Sequence, residues 1–249
     1  MDDAHQLLYI IGFSDGYNKM QNPTKRWYDA HYAGRERRLE SWNAAMLEWL
    51  RHARPEGPLL ELGCGAGLLL ECVVDEGLYA DDAVHGIDQS ETAVAEIATR
   101  LPGVRVGDIE AEMPYADGSM GVIIVAEVIE HLVHPWALFD RVHRVLRSGG
   151  VLLLSFPNYL HLPWLALRIL ADLCDRPAWI VLQPIDRMYT TPLVKRRLRE
   201  RGFDIEAIIG NTYGPPKLHE WEPRWLRALL NGAHLGELSF HPVLVCRKR

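Results

Sequence analysis

Apolar positions along the chain fall into two alternating rhythms. Short continuous runs, Leu59 to Leu62, Ala83 to Ile87, Val104 to Val106, Val122 to Ala126 and Val151 to Phe156, read as strands buried on both faces. Between them the apolar residues recur at helical spacing. Leu39, Trp42, Met46, Trp49 and Leu50 share one face and predict an amphipathic helix over 39–52. A helix over 67–77 follows the first strand. Ser90 caps another, in which Val94, Ile97, Ala98 and Leu101 repeat at i, i+3, i+4 and i+7. Pro135 suits the first turn of a third, with Leu138, Val142, Val145 and Leu146 inward and Ser148-Gly149-Gly150 as its stop.

This alternation predicts an α/β fold: a doubly wound, mostly parallel sheet of seven strands. After Phe156 the regularity breaks. Residues 157–188 carry an almost all-round apolar segment, Leu160 to Cys174, readable as a buried helical insertion, a cap over an apolar pocket, or a surface that meets a membrane. The core pattern resumes with a basic-faced helix at 192–201, a strand from Phe203 to Ile209 and a last strand from Leu238 to Cys246. Between those two strands, 211–235 contains Pro215-Pro216 and then Trp221, Trp225, Leu226, Leu229 and Leu230, a short helix able to line a pocket. The expected organisation is one domain: an N-terminal helical arm or lid (1–55), a core (56–158), an apolar cap insertion (159–190), and the rest of the sheet (191–249) with an insertion at 211–235.

Bulk properties narrow the function classes. The chain has 249 residues, 48% hydrophobic and 24% charged, ordinary for a globular domain. Its net charge of −6 argues against a nucleic-acid partner. Cys64, Cys72, Cys174 and Cys246 form no Cys-x-x-Cys pair and read as buried thiols in a reducing compartment. A Met-Asp-Asp start has the wrong charge for a secretory leader, and no run reaches the length of a membrane span, so a cytoplasmic location is expected.

Residues 57–67, Gly-Pro-Leu-Leu-Glu-Leu-Gly-Cys-Gly-Ala-Gly, carry the clearest chemistry. A strand turning into a helix through glycines lets backbone N–H groups approach a ligand closely. A dinucleotide fingerprint needs Gly or Ala three residues after Gly65, and Leu68 stands there. Glu61, Asp88 and Asp108 each close a predicted strand, where ligands of such sheets bind. For Asp88 a helix N-cap is the competing structural reading.

With Glu61-Leu-Gly-Cys-Gly-Ala-Gly67, the chain resembles motif I of the class I S-adenosylmethionine (SAM)-dependent methyltransferases, and it is similar to their small-molecule and ubiquinone-type branch. Glu127-Val-Ile-Glu-His131 resembles that branch's motif after strand four, Arg144-Val-Leu-Arg-Ser-Gly-Gly150 its R-x-L-[KR]-P-G-G with Ser148 for proline, and Ser155-Phe-Pro-Asn158 its strand-five ending. Met113-Pro114-Tyr115 with Asp117 to Gly121 resembles its L-P-F-x-D-x-S-F-D, with Gly121 for the usual aspartate. The resemblance implies SAM as cofactor. It assigns the cofactor to Glu61, Gly63, Cys64, Gly65, Gly67 and Glu127, with Asp88 on the ribose hydroxyls, Gln89 and Ile109 on the adenine faces, and Asp108 on the adenine amine. Arg26-Trp27-Tyr28-Asp29-Ala30-His31-Tyr32 resembles an entry motif of such enzymes and adds Tyr28 to the cofactor set.

His131, beyond strand four, is the expected catalytic base, since a neutral imidazole takes a proton at working pH; its structural alternative is a residue that fixes the helix start. On a helix, Glu127, Glu130 and His131 would share one face and offer a divalent-metal site, as thought for some relatives. Asp186 stands where those relatives have a further histidine, and no metal is expected. Trp164, Tyr189, Tyr213 and Trp221 are the expected walls of the substrate pocket. The reading is methyl transfer to a small apolar or aromatic acceptor, oxygen favoured over nitrogen or carbon. An RNA or protein methyltransferase and a non-catalytic SAM-binding protein are the rivals.

Overall fold

A computed structural model describes residues 38–111, 113–173, 187–214 and 224–249. The described strands form one seven-stranded sheet. In chain order the elements are α1 (Ser41–Ala53), β1 (Leu59–Leu62), α2 (Leu68–Asp75), β2 (Val84–Asp88), α3 (Glu91–Ile97), β3 (Val104–Val106), β4 (Met120–Ala126), α4 (Pro135–Val145), β5 (Leu146–Ser155), α5 (Leu162–Leu173), α6 (Thr191–Arg199), β6 (Phe203–Ile209), α7 (Arg224–Gly232) and β7 (Val243–Lys248). The sheet order is β3-β2-β1-β4-β5-β7-β6. All pairs are parallel except those of β7, which runs antiparallel between β5 and β6.

Alternation within each strand builds two cores. Leu60, Leu62, Ile123, Val125, Leu152 and Leu154 face one layer, with α4 and α6. Leu59, Val122, Ile124, Val151 and Leu153 face the other, with α1, α2 and α3. A strand sandwiched this way has no polar face, so its sequence is a continuous apolar run. Strand order reverses between β1 and β4, which both pair with neighbours on opposite sides. The crevice at their carboxyl ends is the switch point of such a sheet.

Four expectations are corrected. Helix α4 ends at Val145, and β5 begins at once with Leu146 in extended conformation. Gly149, with φ +71°, lies inside this strand instead of stopping a helix, beside a register shift between Met120 and Val122. The last strand is Val243–Lys248, because Gly236–Leu238 is a 3-10 turn and Pro242 lacks an N–H for the ladder. Helix α5 is not a buried insertion: Trp164 is buried, but Leu162, Leu165, Ile169, Leu170 and Leu173 are exposed. Cys72 is only half-buried, whereas Cys64 and Cys246 are buried free thiols. None of the described helices is long and apolar enough to cross a membrane.

Candidate functional site

The site is built on the β1–α2 turn. Gly63, Gly65 and Gly67 have φ of +75°, +52° and +69°, left-handed values that side chains disfavour. A Cβ on Gly63 would stand 2.5 Å from Val128 Cγ2, and one on Gly67 2.7 Å from Ile97 Cγ1. Two constraints, backbone angle and space, therefore demand glycine at both positions. Gly63 N donates to Ile87 O at 2.7 Å, and Gly65 N to Asp88 Oδ2 at 2.8 Å, so the turn is laced to the end of β2.

Asp88 is buried and accepts a second backbone N–H, from Ser90, at Oδ1 (2.8 Å). The N-cap of α3 is Ser90, whose Oγ accepts from Ala93 N at 3.1 Å; Asp88 instead clamps the glycine turn. Glu61 ends up 3% exposed beside it, and Oε2 has no hydrogen-bond partner among the described residues. Burial, and then the negative charge of Asp88, push the Glu61 carboxyl up to about 8. A buried acceptor without a donor is costly, and here it lies at the switch-point crevice. Cys64 is buried, its thiol pushed well up, first by burial. Gln89 is half-buried; Asp108 is exposed and accepts from Glu110 N at 2.8 Å, and Ile109 behind it is buried. Gly107 N donates to Asp88 O at 2.8 Å, which brings this loop beside Asp88.

The second wall follows β4. Glu127 has φ +54°, and its N donates to Ser155 O at 3.2 Å. Ile129–His131 is a 3-10 turn. Glu127, Glu130 and His131 therefore do not share a helical face, and the metal arrangement that such spacing offers does not form; among the described residues no cluster of three metal-ligating side chains occurs. Glu130 is buried, with Oε1 3.5 Å from His131 Nε2. Glu127 turns elsewhere: its Oε2 lies 2.8 Å from His241 Nδ1.

Among the described residues the expected pocket aromatics fall in separate places, Trp164 on Phe240 and Tyr189 on Trp136. Trp164 is buried, its ring centre 5.4 Å from that of Phe240. Tyr213 O accepts from His161 Nε2 at 3.0 Å, and the Tyr213 hydroxyl donates to Asn231 Oδ1 at 2.7 Å. Tyr189 is a core residue, edge-on to Trp136 at 5.3 Å, its phenol pushed up to about 12 by burial first. Tyr28, Trp221 and Asp186 lie outside the described residues, as does Cys174.

Sequence reasoning missed three residues here. Glu110 accepts from Val133 N (2.9 Å) and His134 N (2.6 Å), tying the β3 loop to the β4 loop. Asn158, fully buried, donates from Nδ2 to Glu237 O (2.7 Å) and Ser239 O (3.1 Å), while Oδ1 accepts from Leu160 N and Thr191 N. His241 is the third. Apart from Leu160, the partners named lie 23 to 114 residues away, and no local pattern announces those pairings.

Residues 60–154 match the methyltransferase domain family. A probable S-adenosylmethionine-dependent methyltransferase of Mycolicibacterium smegmatis is 38% identical over 168 residues, 66% of this chain and 59% of that protein. The chain thus spans about three-fifths of that relative's length. Ubiquinone biosynthesis O-methyltransferase of Pseudomonas aeruginosa is 27% identical over 81% of this chain and 88% of its own. The geranyl diphosphate C-methyltransferase of Streptomyces coelicolor, solved with S-adenosyl-L-homocysteine, superposes with a TM-score of 0.60 at 15% identity, covering 95% of this chain and 99% of that one. At that identity the likeness is one of fold.

Proposed function

We propose that this chain, which matches the methyltransferase domain family over residues 60–154, is a class I SAM-dependent methyltransferase that methylates a hydroxyl oxygen of a small, apolar or aromatic acceptor, releasing S-adenosylhomocysteine (SAH). The observation that carries the cofactor half is the buried Glu61 oxygen without a donor, set against three left-handed glycines. A cationic ligand resting on that turn satisfies the carboxylate, and SAM is cationic.

In this reading Gly63, Gly65 and Gly67 leave room for the methionyl part, with Glu61 facing its ammonium group. Asp88 accepts from the ribose hydroxyls. Asp108 accepts from the adenine amine, while Ile109 and Gln89 flank the ring. When bound, SAM supplies a methyl group already activated by a sulfonium, so the protein's task is alignment of the acceptor and exclusion of water. The oxygen acceptor is supported by the ubiquinone-pathway relative, matched over most of its length. Trp164 and Tyr213 border the acceptor side.

Titration calorimetry with SAH tests the cofactor half. Wild type should bind, and Gly65→Val, which forces a β-branched residue to φ +52°, should not. Absence of binding by wild type, or equal binding by the variant, refutes the reading. Incubation with methyl-tritiated SAM and a panel of phenols and catechols then tests the acceptor: label retained in an ether linkage is expected, and label on nitrogen or carbon refutes the oxygen assignment.

A further inference from the structure

His241 stands two residues before β7, at the sheet edge where β5 ends. Four separate segments hold it. Asn158 N donates to Phe240 O (2.7 Å), and Phe240 N donates to Thr212 O (2.6 Å). Asn211 Nδ2 donates to His241 O at 2.9 Å. The imidazole lies between Trp42 of α1, centroid distance 4.5 Å, and Phe240, at 4.4 Å. Glu127 completes the set, its Oε2 2.8 Å from Nδ1. The two side chains are only 16% and 14% exposed.

Glu127 reaches the ring from a backbone conformation that costs about 1–2 kcal/mol for a residue with a Cβ. Such strain persists where the surroundings over-determine it, and it collects at functional sites. A carboxylate only accepts hydrogen bonds, so Nδ1 carries the proton and the lone pair of the neutral ring is at Nε2. This is the carboxylate–imidazole arrangement that fixes a tautomer and stabilises the imidazolium formed on proton uptake. His131 has a looser arrangement, 3.5 Å from its carboxylate neighbour, beyond good hydrogen-bond length.

We propose that His241, oriented by Glu127, is the general base of the methyl transfer, taking the acceptor's hydroxyl proton at Nε2. The assignment rests on the hydroxyl-methylation reading above. As the O–H bond breaks, its proton passes to Nε2. The oxygen pair forms the O–CH3 bond while the S–CH3 bond breaks, and the sulfur keeps that bonding pair in neutral SAH. The imidazolium left behind is compensated by Glu127 until it releases the proton to water. Glu127 is a positioning residue, touching the base and not the acceptor.

The test uses the full chain, tritiated SAM and catechol as the hydroxyl probe. His241→Asn should lower kcat by 10² to 10⁴-fold, the usual contribution of a general base. SAH affinity and the KM for SAM should stay within twofold. Glu127→Ala should lower kcat at least tenfold with the KM for catechol little changed, and Glu127→Gln, which retains an oxygen acceptor for Nδ1–H, should recover part of the loss. A His241→Asn enzyme with kcat within threefold of wild type and intact SAH binding overturns the assignment, as does transfer of the full effect to His131→Asn. Failure of wild type to bind SAH would instead sink the methyltransferase reading itself. Where wild type turns over no catechol, the tautomer decides: in 15N-histidine spectra the His241 signal, identified by its loss in His241→Asn, must show Nδ1 protonated, and an Nε2–H tautomer overturns the proposal.

Discussion

Glu61→Gln isolates the electrostatics of the cofactor crevice. The glutamate is 3% exposed, lacks a partner at Oε2, and is pushed up to about 8 by burial and by Asp88. In the unfolded chain the same carboxyl titrates near 4.5. Between those values the folded protein retains a proton that the unfolded chain has lost. Stability therefore falls as pH rises through this window, by up to about 1.4 kcal/mol per pH unit, and the loss is complete above about 8. Integrated over the window, the upper limit is about 5 kcal/mol. Glutamine has nearly the shape of the protonated acid and no charge to lose. Urea unfolding of the ligand-free variant should accordingly lack this slope: equal to wild type near pH 5, more stable by several kcal/mol at pH 9. Ligand binding should go the other way. SAH carries an ammonium group that favours the ionised Glu61, so wild-type affinity should rise with pH toward 8 while that of the variant stays weak and flat. Parallel pH dependences of stability in the two proteins would refute the reasoning, as would a variant less stable than wild type at pH 9.

Asp88→Asn should lower SAH affinity at least tenfold, because one carboxylate serves Gly65 N and Ser90 N at once; it should also move the Glu61 stability window toward lower pH by removing its charged neighbour, seen in the same urea titrations. Gly63→Ala combines φ +75° with a contact of 2.5 Å to Val128 Cγ2, and should cost about 2–4 kcal/mol by chemical denaturation. Adding Val128→Ala should return only the part due to the contact, since the backbone angle remains. Asn158→Ala strands Ser239 O and two backbone N–H groups around a fully buried position and leaves Glu237 O only a 3.4 Å bond from Thr191 Oγ1, so a loss of about 2–4 kcal/mol is expected, together with faster hydrogen exchange at 237–241.

How far the sequence reveals each half of the site depends on chain separation. The cofactor half is local: the strand, the glycine turn and Asp88 lie within 30 residues, and each position is set by a constraint visible in the residue type. Apolar runs marked β1, β2 and β4 nearly to the residue because both faces of each strand are covered. Ambiguity enters where one residue serves two geometries. Gly149 fits a helix stop as well as an irregular strand, and only the pairing of β4 with β5 decides for the strand. Leu238 and Phe240 alternate like strand residues, yet Asn158 and Thr212 capture the backbone around Phe240 before the ladder begins. The acceptor half is built by such captures. Glu127 and His241 stand 114 residues apart, and their approach depends on β7 returning antiparallel beside β5. The helical spacing of Glu127, Glu130 and His131 pointed to a shared face, but a left-handed residue at 127 sends its carboxylate across to the β7 side. A parallel partner in the β7 position would carry the start of that strand to the opposite edge of the sheet, away from Glu127. The reversed last strand is thus what brings an imidazole to the sheet edge proposed for the acceptor, and it lets that side change by substitutions before β7 that leave the glycine turn untouched.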